Sequence, residues 1–202
     1  MDETFFRALS KRGWTSLEQA GVAEQVRQIA IPVYKRIMHD KSGILTGQPY
    51  GNEGEAIYSV SRAQMNVLMM DLAEHNGAKL YFNEKCVEVD FENTTVAFEN
   101  SKTKANQKIK SDFIIGADGA FSVVRKEMVS RYGHRYNYNE IDHDYKELLI
   151  PAGENNTYLL EKNALHIWPR GDFMLMALAN LDGSFTCTLF APKKGANSFE
   201  GL

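Results

Sequence analysis

Asp118 is the residue of this 202-residue chain whose surroundings are best suited to chemistry. It lies in the run Asp112-Phe-Ile-Ile-Gly-Ala-Asp-Gly-Ala-Phe-Ser-Val-Val-Arg125. The apolar residues Phe113, Ile114 and Ile115 predict a short strand covered on both faces, and Gly116 and Gly119 predict a sharp turn around Asp118. Ser122 predicts the cap of a helix carrying Val123, Val124 and Met128. A carboxylate held between a parallel strand and a helix amino terminus can meet the ribose or phosphate of a dinucleotide. The competing reading is a hairpin, because Asp-Gly is also a two-residue turn signal.

Other chemistries find less support. His39, His75, His134, His143 and His166 show no metal-ligand spacing with one another or with Cys86 and Cys187, so no metal site is expected. No Gly-x-Ser-x-Gly, no phosphate-binding Walker loop and no Cys-His pairing points to covalent catalysis. Cofactor chemistry remains, although no Gly-x-Gly-x-x-Gly opens the chain. A composition of 44% hydrophobic and 24% charged residues describes an ordinary globular protein, and a net charge of -3 gives no reason to expect nucleic acid or an anionic membrane. The two cysteines, far apart in apolar segments, read as reduced core thiols. With no apolar stretch long enough to span a bilayer and no basic leader, the expected location is cytoplasmic.

The elements that must position Asp118 and its partners follow from periodicity. Residues 17–30 predict two short helices or one bent one, stopped at Ile31-Pro32. Val33 to His39 and Ile44 to Tyr50 predict a β-hairpin over 33–50 around the turn Asp40-Lys-Ser-Gly43. Ala56 to Val60 predicts a strand, and Ser61-Arg-Ala-Gln64 a capping box that starts a helix with Met65, Leu68, Met69, Leu72 and Ala73 on one face, ended by Asn76-Gly77. Strands are predicted at Lys79 to Phe82, Cys86 to Phe91 and Thr94 to Phe98, with a solvated hairpin tip over 100–108. Further strands at Tyr145 to Ile150, Thr157 to Leu160, Leu165 to Trp168, Phe173 to Ala179 and Phe185 to Phe190 predict an antiparallel sheet. The expected class is mixed α+β or α/β, with residues 1–140 and 141–202 as two domains.

Together these segments resemble a family. Gly-Ala-Asp-Gly-Ala-Phe-Ser-Val-Val-Arg at 116–125 resembles the Asp-Gly motif of the FAD-dependent aromatic hydroxylases, the flavoprotein monooxygenases. Ala8-Leu-Ser-Lys-Arg-Gly13, Ile31-Pro32, Met38-His39, Pro49-Tyr-Gly51, Tyr58-Ser-Val-Ser-Arg62, Leu165-His-Ile-Trp-Pro-Arg170 and Ser184-Phe-Thr-Cys-Thr-Leu-Phe190 are similar, in order, to the branch that hydroxylates L-kynurenine at ring position 3. The resemblance implies a partial FAD-binding, Rossmann-like domain followed by a partial antiparallel-sheet substrate domain. It implies FAD and NADPH as cofactors, a flavin hydroperoxide as the oxygen donor, and a small aromatic amino acid as substrate.

Residue by residue, the resemblance places Arg36 and Tyr50 at the amino-acid carboxylate, where a guanidinium and a phenol can both donate hydrogen bonds. It places Leu165, Met176 and Phe190 over the substrate ring. Arg62 falls at a flavin contact, Asp118 near the ribose and pyrophosphate, and the backbone of Cys86 near the adenine end. Without the resemblance, Arg36 reads as a strand residue with its head in water and Leu165, Met176 and Phe190 read as core. No residue is implied to be a catalytic acid, base or nucleophile.

The sequence also departs from the family. The strand, glycine turn and helix that hold the FAD pyrophosphate are expected before Met1, and a Gly-Asp segment and a helical region after Leu202, so the chain reads as a central fragment. Phe6 stands where the family has an asparagine that lines the flavin site. There are two alternatives to the kynurenine reading: a non-catalytic fragment or fold remnant without the pyrophosphate loop, and a hydroxylase of another aromatic substrate.

Overall fold

The computed structural model describes residues 6–133 and 135–201; His134 and the side chains of Phe6 and Arg7 lie outside the described part of the chain. The chain forms two compact units, one made of Met1–Gly77 with Ile141–Leu202 and the other of Ala78–Glu140. Residues 1–77 therefore group with 141–202. The architecture is mixed α/β with antiparallel sheets, in agreement with the class read from the sequence.

In the larger unit, strands β1 (Phe6–Leu9), β5 (Ile57–Ser61) and β2 (Ala30–Val33) form an antiparallel sheet in the order β1-β5-β2. Helices α1 (Lys11–Gln19), α2 (Ala23–Arg27) and α3 (Arg62–His75) lie beside it, and Trp14, Ala23 and Val26 form a core against Met65, Leu68 and Met69. Met65, Leu68 and Met69 of the apolar face predicted for α3 thus pack on this core, and Ser61 Oγ caps the helix by accepting from the Gln64 amide at 3.4 Å. A six-stranded sheet runs in the order β4-β3-β10-β11-β12-β9, from β4 (Leu45–Pro49) and β3 (Lys35–His39) through β10 (Ala164–Arg170), β11 (Phe173–Ala179) and β12 (Phe185–Pro192) to β9 (His143–Ile150).

Strands β3 and β4 make the expected hairpin. Its turn is tied by the Asp40 carboxylate, which accepts from the amides of Ser42 and Ile44, each at 2.8 Å. The strand expected from Val33 to His39 is two strands, because at Tyr34 the chain passes from one sheet to the other. There the Tyr34 amide donates to Asn163 O and its carbonyl accepts from the Tyr50 amide. The expected strand at Thr157 to Leu160 is irregular. Its backbone bonds locally, with Gly153 N donating to Thr157 O and Thr157 N to Glu154 O, around Asn155 and Asn156 at positive φ.

The smaller unit is a meander of β6 (Glu84–Asp90), β7 (Thr95–Asn100) and β8 (Asn106–Lys110), with α4 (Val123–Tyr132) packed on β6. A bulge between Cys86 and Glu88 turns Val87 outward, whereas Val89 is buried, so the alternation expected for this strand holds only at its end. Neither Lys79 to Phe82 nor Phe113 to Ile115 is a strand. No described strand runs alongside either segment to complete its hydrogen bonds, and Phe113 is 85% and Ile115 89% exposed.

The core of the larger unit centres on Phe185, fully buried among Ile31, Ala177, Ala179 and Cys187. Phe185→Ala should cost about 3–5 kcal/mol of unfolding free energy, read as a lower urea midpoint, because the void cannot collapse against two sheets. Leu148→Ala, on an exposed edge position of β9, should leave the midpoint nearly unchanged.

Candidate functional site

One face of the six-stranded sheet gathers most of the residues picked out from the sequence. Across neighbouring strands, Arg36 stands opposite Leu165, Ile167 opposite both Met38 and Met176, and Met174 opposite Phe190. Side chains of paired residues share a face, so these form one surface. Leu165, Met176 and Phe190 line a cleft of 370 Å³ together with Ala8, Arg62, Tyr145, Glu147, Thr186 and Thr188. Its wall is apolar along β10 and β11 and turns polar toward β9.

Arg36 and Tyr50 are neighbours of this cleft through Leu165. The Arg36 guanidinium carbon lies 5.2 Å from the centre of the Tyr50 ring, and Tyr50 packs in the cluster that contains Leu165, Ile167, Met174 and Met176. The Nε atom of Arg36 is buried and has no hydrogen-bond partner among the described residues. Burial pushes the Tyr50 phenol above 10.0 and the Arg36 charge partly offsets this, so the phenol stays a donor at neutral pH. A cation with a buried, unanswered N–H beside a phenolic donor is suited to a carboxylate.

The sequence reading missed Tyr145, Glu147, Thr186 and Thr188. Strand alternation carried the signal: Thr186 and Thr188 lie four and two residues before Phe190 and so share its face. Register then adds β9, since Thr188 stands opposite Glu147 and Phe190 opposite Tyr145. A second cleft of 550 Å³ near Ser61, Asn180 and Asp182 holds none of the predicted residues. Within it the Asp182 carboxylate accepts from the amide and hydroxyl of Ser184.

In the smaller unit, Asp118 is followed by a turn into α4 and not by a hairpin. Gly119 adopts φ 77, and a Cβ on Gly116 would sit 2.9 Å from the Val124 side chain, so both glycines are required by the turn. The Asp118 carboxylate accepts from the Ser122 hydroxyl at 2.6 Å and from the amides of Val123 at 2.6 Å and Val124 at 3.2 Å. These bonds, the Ser122 hydroxyl foremost, hold its pKa below 3.8. Burial raises the pKa of Cys86, and the charge of Asp118 adds to the effect, so this thiol stays protonated. Among the described residues no group of three or more His, Cys, Asp or Glu could hold a metal ion, and no helix is long and apolar enough to cross a membrane.

Residues 7–169 match the model of a family described as FAD binding domain. The chain belongs to the FAD binding domain family. It is 49% identical over 197 residues to a kynurenine 3-monooxygenase of Flavobacterium johnsoniae, covering 96% of this chain and 44% of that protein. A kynurenine 3-monooxygenase of Christiangramia forsetii is 45% identical, again over 96% of this chain and 44% of the relative. The chain therefore spans less than half the length of these relatives. In fold, it matches the flavin-dependent monooxygenase PieE, solved with FAD and substrate, at a TM-score of 0.75 and 16% identity, covering 96% of this chain and 37% of that one.

The Asp118 bonds carry a pH dependence. Its folded pKa is depressed, so the stability it lends to α4 is complete above roughly pH 4 and is lost as pH falls through the lowered folded value. Amide exchange at Val123 and Val124 should accelerate across that acid window. In Asp118→Asn the exchange should already be fast at neutral pH, and the acid step should disappear.

Proposed function

We propose that this chain forms part of an FAD- and NADPH-dependent monooxygenase that hydroxylates L-kynurenine to 3-hydroxykynurenine. The observation that carries the reading is the buried, unanswered Nε of Arg36, set beside Tyr50 at the margin of an apolar cleft. A free amino acid presents a carboxylate, which a guanidinium binds through two parallel N–H bonds. An aromatic ring on the same molecule would then rest against Leu165, Met176 and Phe190. The names of the relatives support this substrate over other aromatics.

Each unit, taken by itself, offers groups suited to part of a flavin nucleotide. The cleft offers an apolar wall for a flat ring system and one guanidinium, Arg62, at the amino terminus of α3, where the helix field favours negative charge. Asp118, already ionised and held by its turn, keeps lone pairs that can accept from a ribose hydroxyl, and the backbone at Cys86 would meet the adenine end. When bound and reduced with electrons from NADPH, FAD supplies the activation of molecular oxygen. The chain's own work is to orient the ring by anchoring the carboxylate and to keep water from the apolar wall.

In a flavin-loaded enzyme carrying this chain, Arg36→Ala should raise KM for L-kynurenine roughly 10- to 100-fold, with a smaller change in kcat, consistent with about 1.5–3 kcal/mol for a charged hydrogen bond. An unchanged KM would remove Arg36 from the site. In the same enzyme, NADPH oxidation should be stimulated by L-kynurenine and not by hydroxybenzoates; the opposite preference would favour another aromatic substrate.

A further inference from the structure

On the sheet face opposite Arg36 and Leu165, the imidazoles of His39 and His166 meet, with Nε2 of His39 at 2.9 Å from Nδ1 of His166. His166 is 2% exposed, and its Nε2 lies 3.0 Å from the carbonyl oxygen of Glu161. A carbonyl oxygen can only accept, so Nε2 of His166 carries a proton and Nδ1 of the neutral ring is left as an acceptor. The hydrogen in the shared bond therefore belongs to Nε2 of His39. The chain of donors runs from His39 to His166 to the Glu161 carbonyl.

This bond spans β3 and β10, the one parallel strand pair among the described residues. The two histidines are 127 positions apart, so the pairing closes a long loop, and parallel ladders are slightly weaker per residue than antiparallel ones. Side chains reinforce it at both ends. The Lys35 ammonium pairs with the Glu161 carboxylate at 3.0 Å, Asn163 Nδ2 donates to Pro32 O at 2.7 Å, and Arg170 Nη1 donates to His39 O at 2.9 Å. Arg36 lies between Lys35 and His39 on the strand so held. A slip of one residue would carry its guanidinium to the other face of the sheet.

We propose that His39 and His166 are positioning residues for the Arg36 and Tyr50 subsite, their directional hydrogen bond fixing the register of β3 on β10 so that Arg36 is presented beside Leu165. The proposal rests on Arg36 as the carboxylate anchor. It adds that the anchor is set from behind the sheet by two groups that touch no substrate.

The charged groups around the pair are Lys35 on β3, Arg170 on β10 and Glu161 ahead of β10. Trp168 stacks on His39 at 4.2 Å, and the Phe185 ring of β12 lies edge-on to His166 at 5.9 Å. The pair accommodates one added proton, but a second sets N–H against N–H. Burial, with Arg170 and the neighbouring ring, lowers the pKa of His39, and burial with Lys35 lowers that of His166 against the opposing pull of Glu161. Both folded values lie below 6.5, so the contribution of the pair is complete above that pH and is lost as pH falls through the lowered values.

Long-range proton–nitrogen NMR of the ¹⁵N-labelled chain tests this without a variant. Both rings should be in the Nε2–H form at neutral pH and take up protons in two coupled steps below 6.5, His39 first, with the Arg36 Nε–H signal shifting over the second step, when His166 is protonated. Independent titration, or an Arg36 signal indifferent to the second step, would overturn the proposal. His39→Phe keeps the stacking on Trp168 and removes the donor. It should displace the Arg36 Nε–H signal and weaken L-kynurenine binding about tenfold, while His39→Gln, which keeps an N–H, should restore both. A His39→Phe chain with wild-type Arg36 signals would also overturn it. If Arg36 follows the histidines but L-kynurenine leaves its signal unmoved in the wild-type chain, the positioning role stands and the carboxylate reading falls.

Discussion

The pairing of β3 with β10 is the contact on which the candidate site depends. It joins a hairpin near the beginning of the chain to a sheet near its end, and it is the step that sets Arg36 opposite Leu165. From Leu165 the same face continues through Ile167 and Met176 to Thr188 and Glu147, each link fixed by the antiparallel registers of β11, β12 and β9. Without that pairing, the guanidinium and the apolar wall would belong to separate pieces of structure. With it, they form one surface on a rigid sheet, where side-chain positions are better defined than on loops.

Asp118 and Arg36 hold their charges in opposite ways. Asp118 is supplied with donors by its own turn, so its ionised state is built into the local backbone. Arg36 is left with a buried donor that finds no acceptor among the described residues, an arrangement that costs stability unless a ligand completes it. Such a cost is expected at binding sites, where consistency between sequence and fold gives way to function.

Local pattern made most of the elements legible. The capped start of α3, the hairpin over 33–50, the strands β10, β11 and β12 and the Ser122 cap of α4 all follow from spacings of two to four residues that act within one element. The failures share a cause. Phe113 to Ile115 and Lys79 to Phe82 have strand-like composition, but a strand exists only where a neighbour completes its ladder, and composition does not carry the neighbour. Thr157 to Leu160 was lost to local turn bonding around Asn155 and Asn156, whose positive φ outweighed its β-forming side chains.

The sequence by itself determined the family, the helix caps, the glycine-framed turn of Asp118 and the apolar identity of Leu165, Met176 and Phe190, because each is written in short motifs. Only the tertiary structure decided that Arg36 stands beside Leu165, that Thr186, Thr188, Tyr145 and Glu147 complete the cleft wall, and that His39 bonds His166. A search for histidines spaced along one helix could not find two that meet across strands 127 residues apart. Periodicity says which face a side chain takes, but strand order and register say what it meets, and those are set by pairings between segments distant in the chain.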